Sequence, residues 1–90
     1  MSLSIPILDR ARKWGFIVWK KENDIKLSNY IKDINEVEVV FEDKELGKKR
    51  IDWRLRRISI GWKLTRSIPI EKKEFILTLS KDGRLVVKCL

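Results

Sequence analysis

The stretch Phe75-Ile76-Leu77-Thr78-Leu79-Ser80-Lys81-Asp82-Gly83-Arg84-Leu85-Val86-Val87-Lys88-Cys89 has apolar residues at every second position on both sides of a polar segment. Such a period of two predicts two β-strands. A common apolar face for both strands requires Ser80 opposite Arg84, because shifting the register by one residue would turn the apolar side chains of one strand to the opposite face of the sheet. The loop is therefore Lys81-Asp82-Gly83, with glycine in the left-handed position, and we predict a hairpin over residues 74–90.

The same pairing argument predicts two more hairpins. Residues 36–56 pair Val37, Val39 and Phe41 with Leu55, Trp53 and Ile51 around a loop at residues 45–47. Residues 15–28 pair Ile17 and Trp19 with Leu27 and Ile25, with Asn23 at positive φ. These pairings predict three hairpins of one design, and hence six strands.

Two further segments complete the predicted fold. The apolar positions change from odd to even at Arg56-Arg57, which predicts a bulge, sharp bend or corner before an extra strand at residues 58–64. Residues 5–14, with Pro6 in the first turn, predict a short N-terminal helix. The prediction is one mainly β domain over residues 1–90: a small six-stranded antiparallel barrel or rolled sheet built from three hairpins, with a short N-terminal helix.

Composition narrows the class of protein. The chain has 90 residues, 43% hydrophobic and 38% charged, and no apolar run approaches the roughly 20 residues that span a bilayer. We therefore expect a cytoplasmic protein that does not enter a membrane. The net charge of +8 favours a polyanionic partner, although charged heat-resistant proteins reach a similar composition for stability alone.

The residue types argue against catalysis. Histidine is absent, the one cysteine is Cys89, and the four glycines are not clustered, so triads, thiolate metal sites and phosphate-cradling loops are not expected. The only enzymatic pattern is Asp33 with Glu42 and Lys44, which resembles the magnesium-binding groups of nucleases and has poor specificity. We predict a non-enzymatic protein without a cofactor or metal.

The densest basic stretch is residues 50–66. In the predicted register, Arg50, Arg54 and Arg56 face glutamates across the middle hairpin, which is a sufficient structural reason for them. Arg57, Lys63 and Arg66 are left without a glutamate partner and are the predicted phosphate contacts, joined by Arg56 at the corner and by Arg12 and Lys13. The alternative for these groups is a solvated surface without a binding role. All four tryptophans fall on apolar faces and are predicted to be core residues, so contact with the phosphate backbone is favoured over base stacking.

Two segments resemble a known family. Arg57-Ile58-Ser59-Ile60-Gly61-Trp62-Lys63-Leu64, and the last hairpin from Phe75 to Val87, resemble the swapped-hairpin DNA-binding domains of AbrB-type transcription factors and antitoxins. The tripeptide Lys13-Trp14-Gly15 is also similar to one near the start of those domains, whereas their proline after the Ile-x-Ile strand and their Gly-Asp pair are missing. The resemblance implies an interleaved dimeric barrel that grips DNA, with Arg57 and Lys63 as the matching positions.

The sequence therefore predicts a protein that binds DNA or RNA through a basic patch, as a transcription regulator or chromatin-type protein does, with a homodimer as one possible assembly. The alternative is a protein-interaction module that uses an exposed strand edge or groove.

Overall fold

A computed structural model describes residues 2–90 and contains a mixed β-sheet with short helices. The strands are β1 (Ser2–Pro6), β2 (Phe16–Val18), β3 (Glu36–Phe41), β4 (Lys44–Asp52), β5 (Arg57–Ser59), β6 (Glu74–Leu79) and β7 (Arg84–Cys89). The helices are α1 (Asp9–Trp14), α2 (Asp24–Tyr30) and α3 (Trp62–Arg66), and a 3₁₀ turn at Lys21–Asn23 precedes α2.

The described strands follow the order β1-β6-β7-β3-β4-β5-β2, and the sheet curls into a nearly closed barrel. The prediction of a mainly β, barrel-like fold is confirmed. The prediction of six antiparallel strands is wrong, because the described residues form seven strands and β3 pairs with β7 in parallel. A parallel pair joins segments that are distant in the chain, which a search for sequential hairpins does not find.

The last hairpin has the predicted register. Phe75 lies opposite Cys89, Leu77 opposite Val87 and Leu79 opposite Leu85. The Ser80 N–H donates a 2.9 Å hydrogen bond to the Arg84 carbonyl, and Gly83 has φ +87° in the loop. Period-two alternation was sufficient here because Phe75, Leu77 and Leu79 share the core face with Leu85 and Val87. Ile76 and Val86 are half-buried on the opposite face.

The predicted register of the middle hairpin, residues 36–56, is wrong. β3 and β4 join through a tight turn at Glu42-Asp43, both at positive φ, as in a type I′ turn. Val39 lies opposite Gly47 and Val40 opposite Glu45, so Leu46 is a bulge residue and not part of a loop. The bulge changes the parity along β4, which defeats an alignment based on strict alternation.

The glutamate–arginine pairs predicted from that register do not form. Glu36 lies opposite Arg50 and contacts Lys48 at 3.7 Å, while Glu38 contacts Arg84 at 3.5 Å. The Glu42 carboxylate accepts a hydrogen bond from the Cys89 backbone N–H.

The predicted hairpin at residues 15–28 is also wrong, because Lys21–Asn23 and α2 replace its second strand. Leu27 is buried in the core while Ile25 is 73% exposed, so their spacing belongs to a helix and not to a strand. Asp24 begins α2, and its carboxylate accepts hydrogen bonds from the Trp19 indole N–H at 2.7 Å and from Arg56 Nε at 3.0 Å. β2 pairs instead with β5.

The N-terminal helix predicted at residues 5–14 is shorter, and β1 precedes it. Leu3 and Ile5 are buried on one face of β1, which pairs with β6 at the edge of the sheet. Pro6 is the last residue of this edge strand, a position that proline tolerates because the strand has no further neighbour there. The helix itself begins only at Asp9.

The corner predicted at Arg56-Arg57 is present and is a tight hairpin. Asp52 lies opposite Arg57, the chain turns through residues 53–56, and Arg56 has φ +53°. The extra strand predicted at residues 58–64 is wrong beyond Ser59, because Gly61 at φ +100° ends the extended segment and α3 follows.

Candidate nucleic-acid interface

Helices α1 and α3 pack against each other at a point where two glycines meet. Gly15 ends α1 in the left-handed conformation, and its carbonyl accepts hydrogen bonds from the Ile60 N–H at 2.8 Å and the Gly61 N–H at 3.2 Å. A Cβ atom on Gly15 would lie 2.4 Å from the Gly61 carbonyl carbon and from the Trp62 nitrogen. Only glycine therefore allows α3 to start against the end of α1.

Side chains of α3 tie its backbone to α1. Thr65 is fully buried, and its hydroxyl donates a 2.6 Å hydrogen bond to the Arg12 carbonyl. Arg66 Nε donates to the Lys13 carbonyl at 3.0 Å. These bonds satisfy carbonyls at the C-terminal end of α1 and hold the two helices as one unit.

Two tryptophans at the junction of these helices are exposed. Trp14, the last residue of α1, is 58% exposed, and Trp62, the first residue of α3, is 49% exposed. Trp19 by contrast is buried, and Trp53 packs edge-to-face on it and donates its indole N–H to the Ile34 carbonyl at 2.7 Å. The prediction that all four tryptophans are core residues is thus wrong for Trp14 and Trp62.

Basic groups lie over the exposed aromatic rings. Arg66 is 4.7 Å and Lys63 is 5.7 Å from the centroid of the Trp62 ring, and Lys13 is 5.1 Å from that of Trp14. These distances are within the range of cation–π attraction. They concentrate positive charge beside flat apolar surfaces.

A shallow cleft of about 170 Å³ continues this surface between α1 and the β4–β5 turn. Trp14, Phe16 and Leu55 line it together with Val18, and Arg10 and Arg57 bring guanidinium groups to it. The Arg57 guanidinium carbon lies 4.1 Å from the centroid of the Phe16 ring. We call the whole surface the basic aromatic face; it consists of Arg10, Lys13, Trp14, Phe16, Leu55, Arg57, Trp62, Lys63 and Arg66.

Four of the six predicted phosphate contacts lie on this face: Lys13, Arg57, Lys63 and Arg66. Across residues 2–90, the only ion pair on the face joins Arg57 to Asp52, and it is long, at 3.9 Å. Because Arg57 was predicted to be unpaired, this contact corrects that detail. Lys63 and Lys13 are exposed, and only Nε of the Arg66 guanidinium forms an internal hydrogen bond within the described part of the chain.

The other two predicted contacts have internal partners. Arg12 is half-buried and donates to the carbonyls of Ile68 at 2.6 Å and Lys72 at 2.9 Å. Arg56 forms a 3.0 Å ion pair with Asp24. Both guanidinium groups therefore hold the fold together, and neither belongs to the basic aromatic face.

The acidic pattern considered for a nuclease is not assembled. Asp33 lines a cleft beside Gly83 and accepts a hydrogen bond from the Asn35 N–H at 2.8 Å, whereas Glu42 and Lys44 line a different cleft beside Cys89. In residues 2–90, no cluster of three or more potential metal ligands occurs.

The aromatic residues of the face, Trp14, Phe16 and Trp62, were not predicted from the sequence as site residues, and neither were the apolar Leu55 and the basic Arg10. Trp62 and Leu64 continue the even apolar positions after Ile60, so they read as one strand. Gly61 was the available signal, because a glycine inside an alternating apolar run permits the chain to change from strand to helix.

Comparison with protein-family models, curated proteins and solved structures gives no match to this chain. The AbrB-type resemblance and the homodimer that it implies therefore stay predictions. None of the helices in residues 2–90 is long and apolar enough to cross a membrane.

Proposed function

We propose that this protein binds nucleic acid through the basic aromatic face. The observation that carries the proposal is the juxtaposition of exposed tryptophans with arginines and lysines on one hydrogen-bonded helix pair. Arginine and lysine contact phosphate, and exposed aromatic rings offer a surface to bases. A solvated surface is a sufficient explanation for the charged residues, but it does not explain the two exposed tryptophans. Exposing their rings to water costs free energy, which a ligand that covers them would offset.

The basic groups of the face are available to a polyanion. Arg10, Lys13, Lys63 and Arg66 form no ion pair with any residue from 2 to 90, and the contact of Arg57 with Asp52 is exposed and long. Exposed ion pairs of this kind contribute little stability, so a phosphate can replace the carboxylate at small cost. The net charge of +8 adds a long-range attraction for the same class of ligand.

The test is fluorescence anisotropy of labelled mixed-sequence DNA and RNA at about 50 mM salt, where phosphate contacts are strong. The face variant carries Arg57→Glu, Lys63→Glu and Arg66→Glu. Its matched control carries glutamate at three exposed lysines outside the face, Lys32, Lys73 and Lys81. Each triple variant lowers the net charge from +8 to +2.

We expect wild-type and control proteins to bind, the control more weakly, and the face variant to show no binding. Wild-type affinity should fall steeply with salt: about four to five phosphate contacts give a slope in log K against log salt of roughly −3 on single strands and roughly −4 on duplex DNA. Equal losses in the two variants would refute the face as the site. No binding by wild-type protein to any nucleic acid would refute the function, and affinity that barely responds to salt would favour the alternative, a protein-interaction module.

A further inference from the structure

We infer that the preferred ligand is single-stranded, with unpaired bases stacking on Trp14 and Trp62; this inference rests on the proposed function. Both rings are about half exposed, and each has a basic group within about 6 Å of its centroid. Inside a duplex, base faces are covered by the neighbouring base pairs, so only a single strand presents them to a protein ring. The inference concerns the form of the ligand and leaves its sequence open.

The helices of the face are too short for duplex recognition in the usual manner. α1 has six residues and α3 has five, which at 1.5 Å per residue gives lengths of about 9 Å and about 8 Å. The major groove is about 12 Å wide and is read by helices that lie along it over several base pairs. Two short helices that meet at Gly15 and Gly61 present exposed rings and do not form a rod that could fill a groove.

The cleft beside α1 provides a second reason. It has an apolar lining of Trp14, Phe16 and Leu55, and guanidinium groups of Arg10 and Arg57 at its border. A flat apolar group with an attached anion fits this arrangement, since the base contacts the rings while the phosphate meets the arginines. A nucleotide of a single strand is a ligand of that kind.

Trp62 extends the same arrangement across the glycine junction. The backbone of Trp62 lies against Gly15, which directly follows Trp14 in the chain. The two tryptophans are therefore attached to neighbouring parts of the backbone. Arg66 and Lys63 lie beside the Trp62 ring and can contact the phosphate of a base that stacks there. The face thus offers two stacking surfaces, each with its own cations.

The test compares a labelled oligothymidylate of about 12 nucleotides, within the usual range of single-strand sites, with a blunt DNA duplex of the same length. The variant is Trp14→Leu with Trp62→Leu. Its control is Tyr30→Leu, because Tyr30 is an exposed aromatic residue of α2 outside the face. Thermal unfolding of each variant checks that the fold is retained, as expected for side chains about half exposed.

We expect wild-type protein to bind the oligothymidylate at least tenfold more tightly than the duplex. The double tryptophan variant should lose at least tenfold in affinity for the oligothymidylate, keep its duplex affinity within about twofold, and lose the quenching of intrinsic fluorescence on binding. The Tyr30 variant should behave as wild type. The inference would be overturned if the duplex bound as tightly as the single strand or more tightly, or if the double variant kept its affinity for the oligothymidylate. Either result would leave the proposed function intact. Failure of both ligands to bind would overturn the proposed function itself.

Discussion

Replacement of Gly15 by alanine should destabilise the protein far more than the same change at another glycine with positive φ. Gly15 has φ +85°, and a left-handed conformation costs an alanine about 1–2 kcal/mol. The new Cβ would also lie 2.4 Å from backbone atoms of Gly61 and Trp62, so the start of α3 must move. That movement endangers the two hydrogen bonds to the Gly15 carbonyl, each worth about 0.5–1.5 kcal/mol. The total loss is about 2–5 kcal/mol.

Gly47→Ala is the matched control. Gly47 has φ +77°, but a Cβ there meets no atom within 4 Å, so only the conformational cost of about 1–2 kcal/mol applies. Thermal unfolding followed by circular dichroism measures both variants. In a domain of this size 1 kcal/mol corresponds to about 4–8 °C, so Gly15→Ala should melt roughly 5–20 °C below Gly47→Ala. Equal melting temperatures would refute the close glycine contact between α1 and α3.

The remaining predictions concern the buried Thr65 and the half-buried Cys89. Thr65→Val removes the hydroxyl donor to the Arg12 carbonyl and should lower the free energy of unfolding, measured in urea titrations, by about 1–3 kcal/mol. The control Thr78→Val, at an exposed position, should lower it by about 0.5 kcal/mol or less. Equal effects would contradict the buried hydrogen bond. Burial raises the pKa of the Cys89 thiol from 9.0 to about 11, so the folded protein should react with thiol reagents at pH 8 much more slowly than the urea-unfolded chain. In this pH range the folded chain retains a thiol proton that the unfolded chain loses, so the free energy of unfolding should also decrease as pH rises from about 9 to 11. Cys89→Ala should remove that part of the decrease. A wild-type pH profile of stability identical to that of the variant would contradict the prediction.

The sequence predicted those parts of the fold where alternation is strict. The hairpin of β6 and β7 has the predicted pairing because every second residue of both strands faces the core. The middle hairpin was misread because the bulge at Leu46 shifts the parity, and Ile25 with Leu27 imitates a strand although both lie in α2. Short apolar runs fit both periods, and the tertiary contacts decide between them.

The candidate site was predicted in its charges and missed in its aromatic residues. Arg57, Lys63 and Arg66 were selected because no acidic partner was expected nearby, and they lie on the basic aromatic face. Trp14 and Trp62 were assigned to the core by periodicity alone. Both rings lie where Gly15 and Gly61 bring the ends of α1 and α3 together, and apart from the glycines themselves a contact between residues so far apart in the chain leaves no local pattern.

The most direct test of nucleic-acid binding at the basic aromatic face is a nuclear magnetic resonance titration of ¹⁵N-labelled protein with oligothymidylate. The four tryptophans give four indole N–H signals: one from the buried Trp19, one from Trp53, which is half-buried against the core, and two from the face. We predict that the signals of Trp14 and Trp62 shift together with the backbone amides of α1 and α3, while those of Trp19 and Trp53 stay nearly unchanged. Shifts confined to other surfaces, or no shifts at all, would contradict it.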